Sequence, residues 1–307
     1  MSNAPHMSGR DWGLIAILAV IWGGSFLLIE LGLTGFGPMT LVFLRMALAV
    51  PAMLVALRWL GLALPRDAKS WWQLTILGFF NVGFPMALFF WAQTRIDSAL
   101  ASILNATVPL WGVLFAHYFT MDERATPAKL IGVLTGFAGI IVMIGPDALS
   151  GVGQDVTAQF ACLVATACFA GAAVYARRLS TVMDPMTAAT GQIVTAAIML
   201  APLAVIMERP WTAVPPGSVA IAAALGLAVI ATSLAYLLFF RVIARAGASN
   251  AMLIALVIPP VAIVLGVMIL DEALSSGQIA GMALILGGLL LIDGRVFARL
   301  APHASVP

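Results

Sequence analysis

Long runs of apolar residues with almost no charges are the feature that most limits how this chain can fold. Residues 12–31, 220–240 and 279–292 are three of these runs. A helix needs about 20 residues to cross the roughly 30 Å hydrocarbon core of a membrane, and most of the runs approach that length. The runs also lack the apolar-polar alternation of strands in a membrane barrel. The sequence therefore predicts an all-α integral membrane protein.

The composition agrees with this prediction. The 307 residues are 62% apolar and 9% charged, whereas soluble domains carry about 25% charged residues. Gly, Pro and charged residues at 35–38, 64–69, 121–127, 145–155 and 208–211 divide the runs into ten candidate transmembrane helices. No soluble domain fits between these helices.

Positive charges fall mainly on one side of the predicted membrane. If residue 1 lies in the cytoplasm, twelve Lys or Arg side chains lie in inner segments and only two, Arg95 and Arg209, lie in outer ones. The positive-inside rule then predicts a multi-pass protein of the inner (plasma) membrane with both termini in the cytoplasm. The inner residues are Arg10, Arg58, Arg66, Lys69, Arg124, Lys129, Arg177, Arg178, Arg241, Arg245, Arg295 and Arg299.

The chain also contains an internal repeat. ASILNATVPLWGVLF at residues 101–115 is matched 150 positions later by AMLIALVIPPVAIVL at residues 251–265. Asp-Glu at 122–123 matches 271–272 after a one-residue gap, and Pro-Met-Thr at 38–40 matches 185–187. The predicted divisions are an N-terminal tail (1–11), a first repeat (12–145), a linker (146–157), a second repeat (158–297) and a C-terminal tail (298–307).

Each repeat contains five predicted helices, so the second repeat must enter the membrane from the opposite side. Arg95 accordingly falls outside, and its repeat counterpart Arg245 falls inside. Inverted repeats around a central site are typical of secondary transporters that expose the site to each side in turn. The sequence therefore predicts a transporter with ten transmembrane helices arranged as two inverted five-helix repeats.

The order of several short motifs resembles the EamA family of the drug/metabolite transporter superfamily. The motifs are WGGSF at 22–26, the Arg of FLRMALA at 43–49, ATVP at 106–109, Asp-Glu at 122–123, and glycines spaced through the fifth and tenth spans. Within the family, the chain is most similar to the YddG-type exporters of aromatic amino acids. The resemblance implies that spans 1–4 and 6–9 surround the substrate path, while spans 5 and 10 pack to one side. Glu30 departs from the Lys that family members often carry at this position.

Polar residues inside the spans are the candidates for substrate contact. Asn105 is predicted in the fourth span, where an unpaired amide would be costly in hydrocarbon, and its repeat counterpart is the apolar Ala255. Five further side chains of this kind are Trp22, Tyr175, Gln192, Ser233 and Tyr236. For each of them, a hydrogen bond to a neighbouring helix is the structural alternative.

The third span combines aromatic residues, a polar side chain and a helix break. Four residues share one predicted helical face: Phe80, Phe84, Ala87 and Trp91. Asn81 lies beside that face, and Pro85 removes a backbone hydrogen bond one turn later. The combination predicts a cavity wall for an amphipathic or aromatic solute, with plain packing or lipid contact as the alternative. Pro85, together with Pro109 and the pair Pro259 and Pro260 at a matching depth in the second repeat, is a candidate hinge.

Few charges remain inside the spans. Glu30 and Arg45 are predicted near the outer ends of their spans, as boundary charges that snorkel or pair. No acidic residue stands at mid-span, so we expect downhill transport without proton coupling, with Glu30 as the one alternative coupling site. The chain has no Walker motif and no His-Glu-x-x-His pair, so it predicts no cofactor, no metal and no catalytic residue.

These patterns together predict a secondary transporter that exports small amphipathic metabolites, such as aromatic or other neutral amino acids, by alternating access through a central cavity. The alternatives are a passive channel or a multidrug exporter and, further away, an intramembrane enzyme. The expected partners are the small-molecule substrate and the lipid bilayer, without nucleic acid. The protein is expected to function as a monomer.

Overall fold

The computed structural model describes residues 8–119, 127–144, 154–209, 215–246 and 254–293, and within these ranges all regular secondary structure is helical. Seven of the described helices are continuous: α1 (Gly9–Leu33), α2 (Pro38–Trp59), α5 (Pro127–Ile144), α6 (Gln154–Leu179), α7 (Pro185–Glu208), α9 (Ile254–Leu270) and α10 (Ser276–Asp293). Three are segmented: α3 (Ala68–Gly78, Phe79–Gly83, Phe84–Ala92), α4 (Ser98–Asn105, Val108–Phe119) and α8 (Ser218–Leu225, Gly226–Leu234, Ala235–Ala246). The C-terminal tail, residues 1–7, residues 146–153 of the predicted linker and the Asp-Glu pair at 122–123 lie outside the described residues.

Side-chain caps fix where two of the helices begin. The Asp67 carboxylate accepts a hydrogen bond from the backbone N–H of Ser70 (2.8 Å) at the start of α3. Hydrogen bonding to Ser70 holds the pKa of the exposed Asp67 carboxyl below its usual range. Asp184 caps α7 in the same way, accepting from the backbone N–H groups of Met186 (2.8 Å) and Thr187 (3.3 Å).

The surface of the bundle is suited to lipid. Among the described residues, seven helical stretches are long and apolar enough to cross a membrane, and three shorter apolar helices span Pro127–Val142, Val257–Leu270 and Ser276–Ile292. Large apolar side chains are exposed around the bundle, including Trp72 (67%) and Ile206 (71%). Hydrocarbon accepts such a surface, whereas water does not. The all-helical membrane fold predicted from the sequence is therefore confirmed.

Helices α5 and α10 form a tightly packed pair. A Cβ atom added to Gly132 would lie 2.6 Å from the carbonyl oxygen of Gly288, and one added to Gly139 would lie 2.7 Å from that of Gly281. Helix backbones approach this closely only where small residues line the contact. The glycine spacing seen in the fifth and tenth spans therefore marks the contact between these two helices.

Each of the other helices packs mainly on helices of the other predicted repeat. Helix α1 contacts α8 and α9, α6 contacts α3 and α4, and α2 contacts α7. The substrate path expected from the family resemblance would lie among these eight helices. Their contacts decide which side chains from the two repeats meet.

Two carboxylates tie helices of one predicted repeat to helices of the other. Glu208, at the end of α7, accepts hydrogen bonds from the backbone N–H groups of Met39 (2.7 Å) and Thr40 (2.8 Å) at the start of α2. Glu272, which follows α9, makes the same contact with the first two N–H groups of α4 (both 2.9 Å). The positive end of a helix dipole favours a carboxylate at this position. At the opposite end of the bundle, Asp11 of α1 and the half-exposed Arg245 of α8 form an ion pair (3.0 Å).

Candidate functional site

Helices α3 and α8 each contain a π-helical segment in their middle, at Phe79–Gly83 and Gly226–Leu234. In α8, the hydroxyls of Thr232 and Ser233 donate to carbonyl oxygens five residues earlier, on Leu227 (2.8 Å) and Ala228 (3.0 Å). Such segments are rare, and they frequently occur at functional sites because they redirect side chains. The sequence predicted a break near Pro85 of α3, but it predicted neither π segment.

A chain of hydrogen bonds joins three helices beside these segments. The Asn81 amide nitrogen on α3 donates to the Gln192 oxygen on α7 (2.8 Å), and the Gln192 nitrogen donates to the Tyr236 hydroxyl on α8 (3.3 Å). The Gln192 side chain is 3% exposed. All three residues were predicted as site residues from separate spans, and the structure brings them together. This hydrogen-bonded chain connects the first predicted repeat to the second.

Arg45 of α2 lies next to this chain and is only 5% exposed. Its Nε donates to the Thr232 hydroxyl (3.0 Å), its Nη1 lies 3.9 Å from the Met86 sulfur, and its Cζ lies 5.9 Å from the centre of the Phe90 ring. Thr232 precedes Tyr236 by four residues on α8, so the two side chains lie about one turn apart on that helix. Within the described part of the chain, no carboxylate forms an ion pair with Arg45. Arg45 is therefore a buried cation, and the expectation of a boundary charge does not hold for it.

Helices α1 and α2 are held against the π segment of α8 by polar contacts. The Trp22 indole nitrogen donates to the Ala231 carbonyl (3.2 Å), and the Trp22 ring centre lies 5.3 Å from that of Phe239. The Ser233 hydroxyl lies 3.4 Å from the carbonyl oxygen of Ala49 on α2. Trp22 and Ser233, both predicted site residues, therefore belong to the same region as the hydrogen-bonded chain.

A separate apolar cavity of about 1120 Å³ lies between α3, α4, α5 and α6. Its walls include two further predicted site residues, Phe80 and Tyr175, and also Trp111. The Trp111 indole nitrogen is buried and has no hydrogen-bond partner among the described residues. Seven of the ten predicted site residues thus divide between the polar region around the hydrogen-bonded chain and this apolar cavity.

Comparison with known proteins shows what kind of protein carries this arrangement. A model of the EamA-like transporter family matches residues 12–145 and, a second time, residues 156–293. The chain belongs to the EamA-like transporter family. It is therefore a multi-pass membrane transporter.

Relatives of this EamA-like transporter cover nearly the whole chain. The "Probable terminal-alkyne amino-acid exporter" of Streptantibioticus cattleyicolor is 26% identical over 98% of each chain. The uncharacterized transporter YwfM of Bacillus subtilis is 27% identical over 94% of this chain and 95% of its own. The uncharacterized inner membrane transporter YedA of Escherichia coli K12 is 25% identical over 92% of this chain and 90% of its own. A solved protein crystal structure, 22% identical, superposes with a TM-score of 0.66 over 93% of this chain and 98% of that one, and so shares the fold.

The predicted aromatic face of α3 is divided in this EamA-like transporter. Phe84 is 37% exposed and stacks on Phe79, with ring centres 5.5 Å apart. Trp91 is half-buried, and the guanidinium carbon of Arg95 lies 4.1 Å from its ring centre. Phe80 instead lines the lateral cavity. Phe80 lies within the π segment, which changes the residue spacing per turn, so it no longer shares a wall with the aromatic residues that follow it.

Among the described residues, Asn105, Pro85 and Pro109 of the first predicted repeat lie at helix interruptions, whereas Pro259 and Pro260 of the second do not. Asn105 is the half-buried last residue of the first α4 segment, and its side chain has no hydrogen-bond partner among the described residues. Pro109 is the second residue of the next segment, and Pro85 is the second residue after the α3 π segment. Pro259 and Pro260 lie inside the continuous helix α9. Within the described part of α9, the interruption seen in α4 therefore has no counterpart.

Sequence reasoning missed Arg45, Thr232 and Trp111 as site residues of this transporter. Arg45 did give a signal, because it is the one Arg that the charge count leaves inside a span. A single hydroxyl or indole in an apolar span gives no comparable signal. Within the described ranges, no three His, Cys, Asp or Glu side chains are grouped so that they could hold a metal ion.

Proposed function

We propose that this transporter exports small amphipathic metabolites, with aromatic or other neutral amino acids as substrates, by alternating access between two inverted repeats. The observation that carries the proposal is the hydrogen-bonded chain of Asn81, Gln192 and Tyr236. Polar groups at depth in a membrane bundle persist where protein or solute satisfies them, and they mark solute pathways. Because this hydrogen-bonded chain joins helices of both predicted repeats, its position supports a central binding site there.

The helix packing supports an inverted repeat of ten spans. Helix α1 packs on α8 and α9, and its repeat counterpart α6 packs on α3 and α4. The two π segments lie in α3 and α8, which are also counterparts. The short apolar helices α5, α9 and α10 would complete the ten spans, and the charge count would then place both termini in the cytoplasm. Because one chain contains both halves, we propose that the monomer in the inner membrane is the functional unit.

The residues around the hydrogen-bonded chain favour a substrate with both a polar and an aromatic part. Asn81 and Gln192 offer hydrogen bonds, while the rings of Trp22, Phe90 and Tyr236 lie nearby for stacking. One relative is named as a probable amino-acid exporter, which supports amino acids as the substrate class. A passive channel and a multidrug exporter are the competing functions.

Uptake into proteoliposomes tests this proposal. We expect saturable uptake of labelled tryptophan and phenylalanine, weaker uptake of alanine, and no uptake of the organic cation tetraphenylphosphonium. Uptake that rises linearly with concentration would indicate a channel, and uptake of the organic cation alone would indicate a multidrug exporter.

A pair of variants tests whether the hydrogen-bonded chain carries the function. Gln192→Leu removes the centre of the chain and should strongly reduce tryptophan uptake. Gln159→Leu replaces another buried glutamine, on α6 and outside the chain, and should leave uptake unchanged. Both proteins should elute as monodisperse species from size-exclusion chromatography. Equal tryptophan uptake by the two variants would contradict the role given to the chain.

A further inference from the structure

Arg45 is a buried cation whose counter-charge is missing from the described part of the chain. Its guanidinium is in contact with one hydroxyl, one thioether sulfur and one aromatic ring, from Thr232, Met86 and Phe90. All three are neutral, and none of them accepts two parallel hydrogen bonds as a carboxylate does. A charged side chain inside a membrane bundle is costly unless it is paired or lines a solute pathway. The contacts that the structure provides therefore leave most of the hydrogen-bonding capacity of Arg45 unused.

The hydrogen-bonded chain beside Arg45 has a direction. Asn81 donates to Gln192 and Gln192 donates to Tyr236, so the Tyr236 oxygen is the final acceptor. The Tyr236 O–H still has its own proton to donate, and the described residues supply no acceptor for it. Because Thr232, the hydrogen-bond partner of Arg45, lies about one turn before Tyr236 on α8, the unused donors of Arg45 and Tyr236 occupy neighbouring positions. An anionic acceptor would satisfy both of them.

We propose that the carboxylate of the transported solute binds between the Arg45 guanidinium and the Tyr236 hydroxyl. The inference rests on the proposed function and names its substrate class, namely small solutes with a free carboxylate and an apolar body. The planar guanidinium matches a carboxylate in a two-point contact, which a lysine ammonium cannot reproduce. Met86 and Phe90 provide apolar surface beside that contact. The buried positive charge also disfavours organic cations.

The depth of Arg45 suits a site that both sides of the membrane can reach. It lies seven residues after Pro38, the first residue of α2, which corresponds to about 10 Å along the helix axis. Its contacts on α3 and α8 flank or lie within the π segments of those helices, where the chain is already locally rearranged. A carboxylate bound here would contact α2, α3 and α8, and would therefore join the two repeats.

Competition among indole compounds tests the inference without any mutation. The assay is inhibition of labelled tryptophan uptake by unlabelled tryptophan, indole-3-propionate, tryptophan methyl ester and tryptamine. The first two keep the carboxylate, and the last two lack it. We expect half-inhibiting concentrations at least ~10-fold lower for the two carboxylates, because a hydrogen bond to a charged group contributes at least about tenfold in binding.

The outcomes of this competition separate the inference from the proposed function. Equal inhibition by all four compounds would overturn the carboxylate site, while tryptophan transport would still stand. Absence of tryptophan uptake above that of protein-free vesicles would refute the proposed function and the inference together.

Variants of the two residues test the same contact from the protein side. Arg45→Lys keeps the charge but loses the two-point contact, so the half-saturating tryptophan concentration should rise at least ~10-fold. Tyr236→Phe removes only the hydroxyl and should produce a smaller rise. Arg58→Lys, an exposed arginine on the same helix, is the matched control and should behave as wild type. The preference for indole-3-propionate over tryptamine should disappear in Arg45→Met. A preference retained in a folded Arg45→Met protein would overturn the inference.

Discussion

Replacing Glu208 with Gln is expected to loosen the contact between α7 and α2 on the side of the membrane that the charge count assigns to the outside. The Glu208 carboxylate accepts two hydrogen bonds, of 2.7 and 2.8 Å, from the first turn of α2. Gln keeps the shape and one acceptor oxygen, but it loses the negative charge and the second acceptor. We expect this contact to break when the outer side opens, because it joins helices of the two predicted repeats.

The expected size of the effect follows from these two bonds. A hydrogen bond to a charged group contributes about 1.5–3 kcal/mol and a neutral one about 0.5–1.5 kcal/mol. The favourable interaction of a carboxylate with the helix dipole adds about 0.3–1 kcal/mol. At the lower ends of these ranges, losing one bond, weakening the other and losing the dipole interaction together remove about 2 kcal/mol, which shifts the equilibrium between the two states by ~30-fold. The ion pair at the inner end is half-exposed on Arg245 and is screened by water, so it is weaker than the contact made by Glu208.

The assay is the rate at which a single cysteine reacts with a membrane-impermeant thiol reagent added from outside. The native Cys162 and Cys168 are replaced by Ala, and the new cysteine is placed at Ala231, which is 1% exposed beside the proposed site. We expect the reaction rate to rise up to ~30-fold when Glu208→Gln is added, since the open state becomes that much more populated.

Asp184→Asn is the matched control for this experiment. Asp184 also accepts two backbone hydrogen bonds at a helix start, but both belong to its own helix, α7. The substitution should weaken the cap without changing the rate at the Ala231 position. An unchanged rate in Glu208→Gln, or an equal rise in Asp184→Asn, would refute the reasoning.

Three other predictions concern packing, the site and energetics. Gly288→Ala should lower the unfolding temperature in detergent, because its Cβ would press on the α5 backbone at a cost of about 1–3 kcal/mol. Gly287→Ala should leave that temperature unchanged, because a Cβ there would have nothing within 4 Å. Equal unfolding temperatures for the two variants would contradict this packing. Asn81→Ala should lower tryptophan uptake, because it leaves the buried amide oxygen of Gln192 without its hydrogen bond. Phe84→Ala should retain wild-type uptake, because Phe84 lies outside the hydrogen-bonded chain. The reverse order would move the site to the aromatic surface of α3. Glu30→Gln, near the outer end of α1, should leave tryptophan uptake unchanged. An ionophore that collapses a pH gradient should also leave it unchanged. Accumulation of tryptophan above equilibrium that is abolished both by Glu30→Gln and by the ionophore would make Glu30 a proton-coupling residue.

Features that depend on composition and periodicity could be predicted from the sequence. Apolar runs of membrane-spanning length without strand-like alternation predicted the helices, because a helix satisfies its own backbone hydrogen bonds in lipid. Glycines at repeated spacing marked the contact between α5 and α10, because small residues are what let two helix backbones approach. Asn81, Gln192 and Tyr236 were singled out because each is a polar group within an apolar run.

The connections among these residues could not be predicted. Asn81 and Gln192 are 111 residues apart, and Gln192 and Tyr236 are 44 apart, so their contacts depend on how the helices pack. The π segment of α8 contains two hydroxyls that donate to carbonyls five residues back, and its sequence also fits an ordinary α-helix. Arg45 was predicted to be a boundary charge because it lies near the end of its span in the sequence. Its burial is decided by neighbours on α3 and α8 that the sequence does not place beside it.

Counterflow in proteoliposomes tests most directly whether two halves expose one site to each side in turn. Vesicles loaded with millimolar unlabelled tryptophan are diluted into medium that contains only a trace of labelled tryptophan. Alternating access predicts a transient accumulation of label above its equilibrium level. Unlabelled tryptophan inside the vesicle carries the binding site back to the outside, where it takes up more label. The same unlabelled tryptophan competes with the label for the inward-facing site and so slows the exit of label. A monotonic rise of the label to equilibrium, with no overshoot at any internal concentration, would contradict the account and indicate a channel.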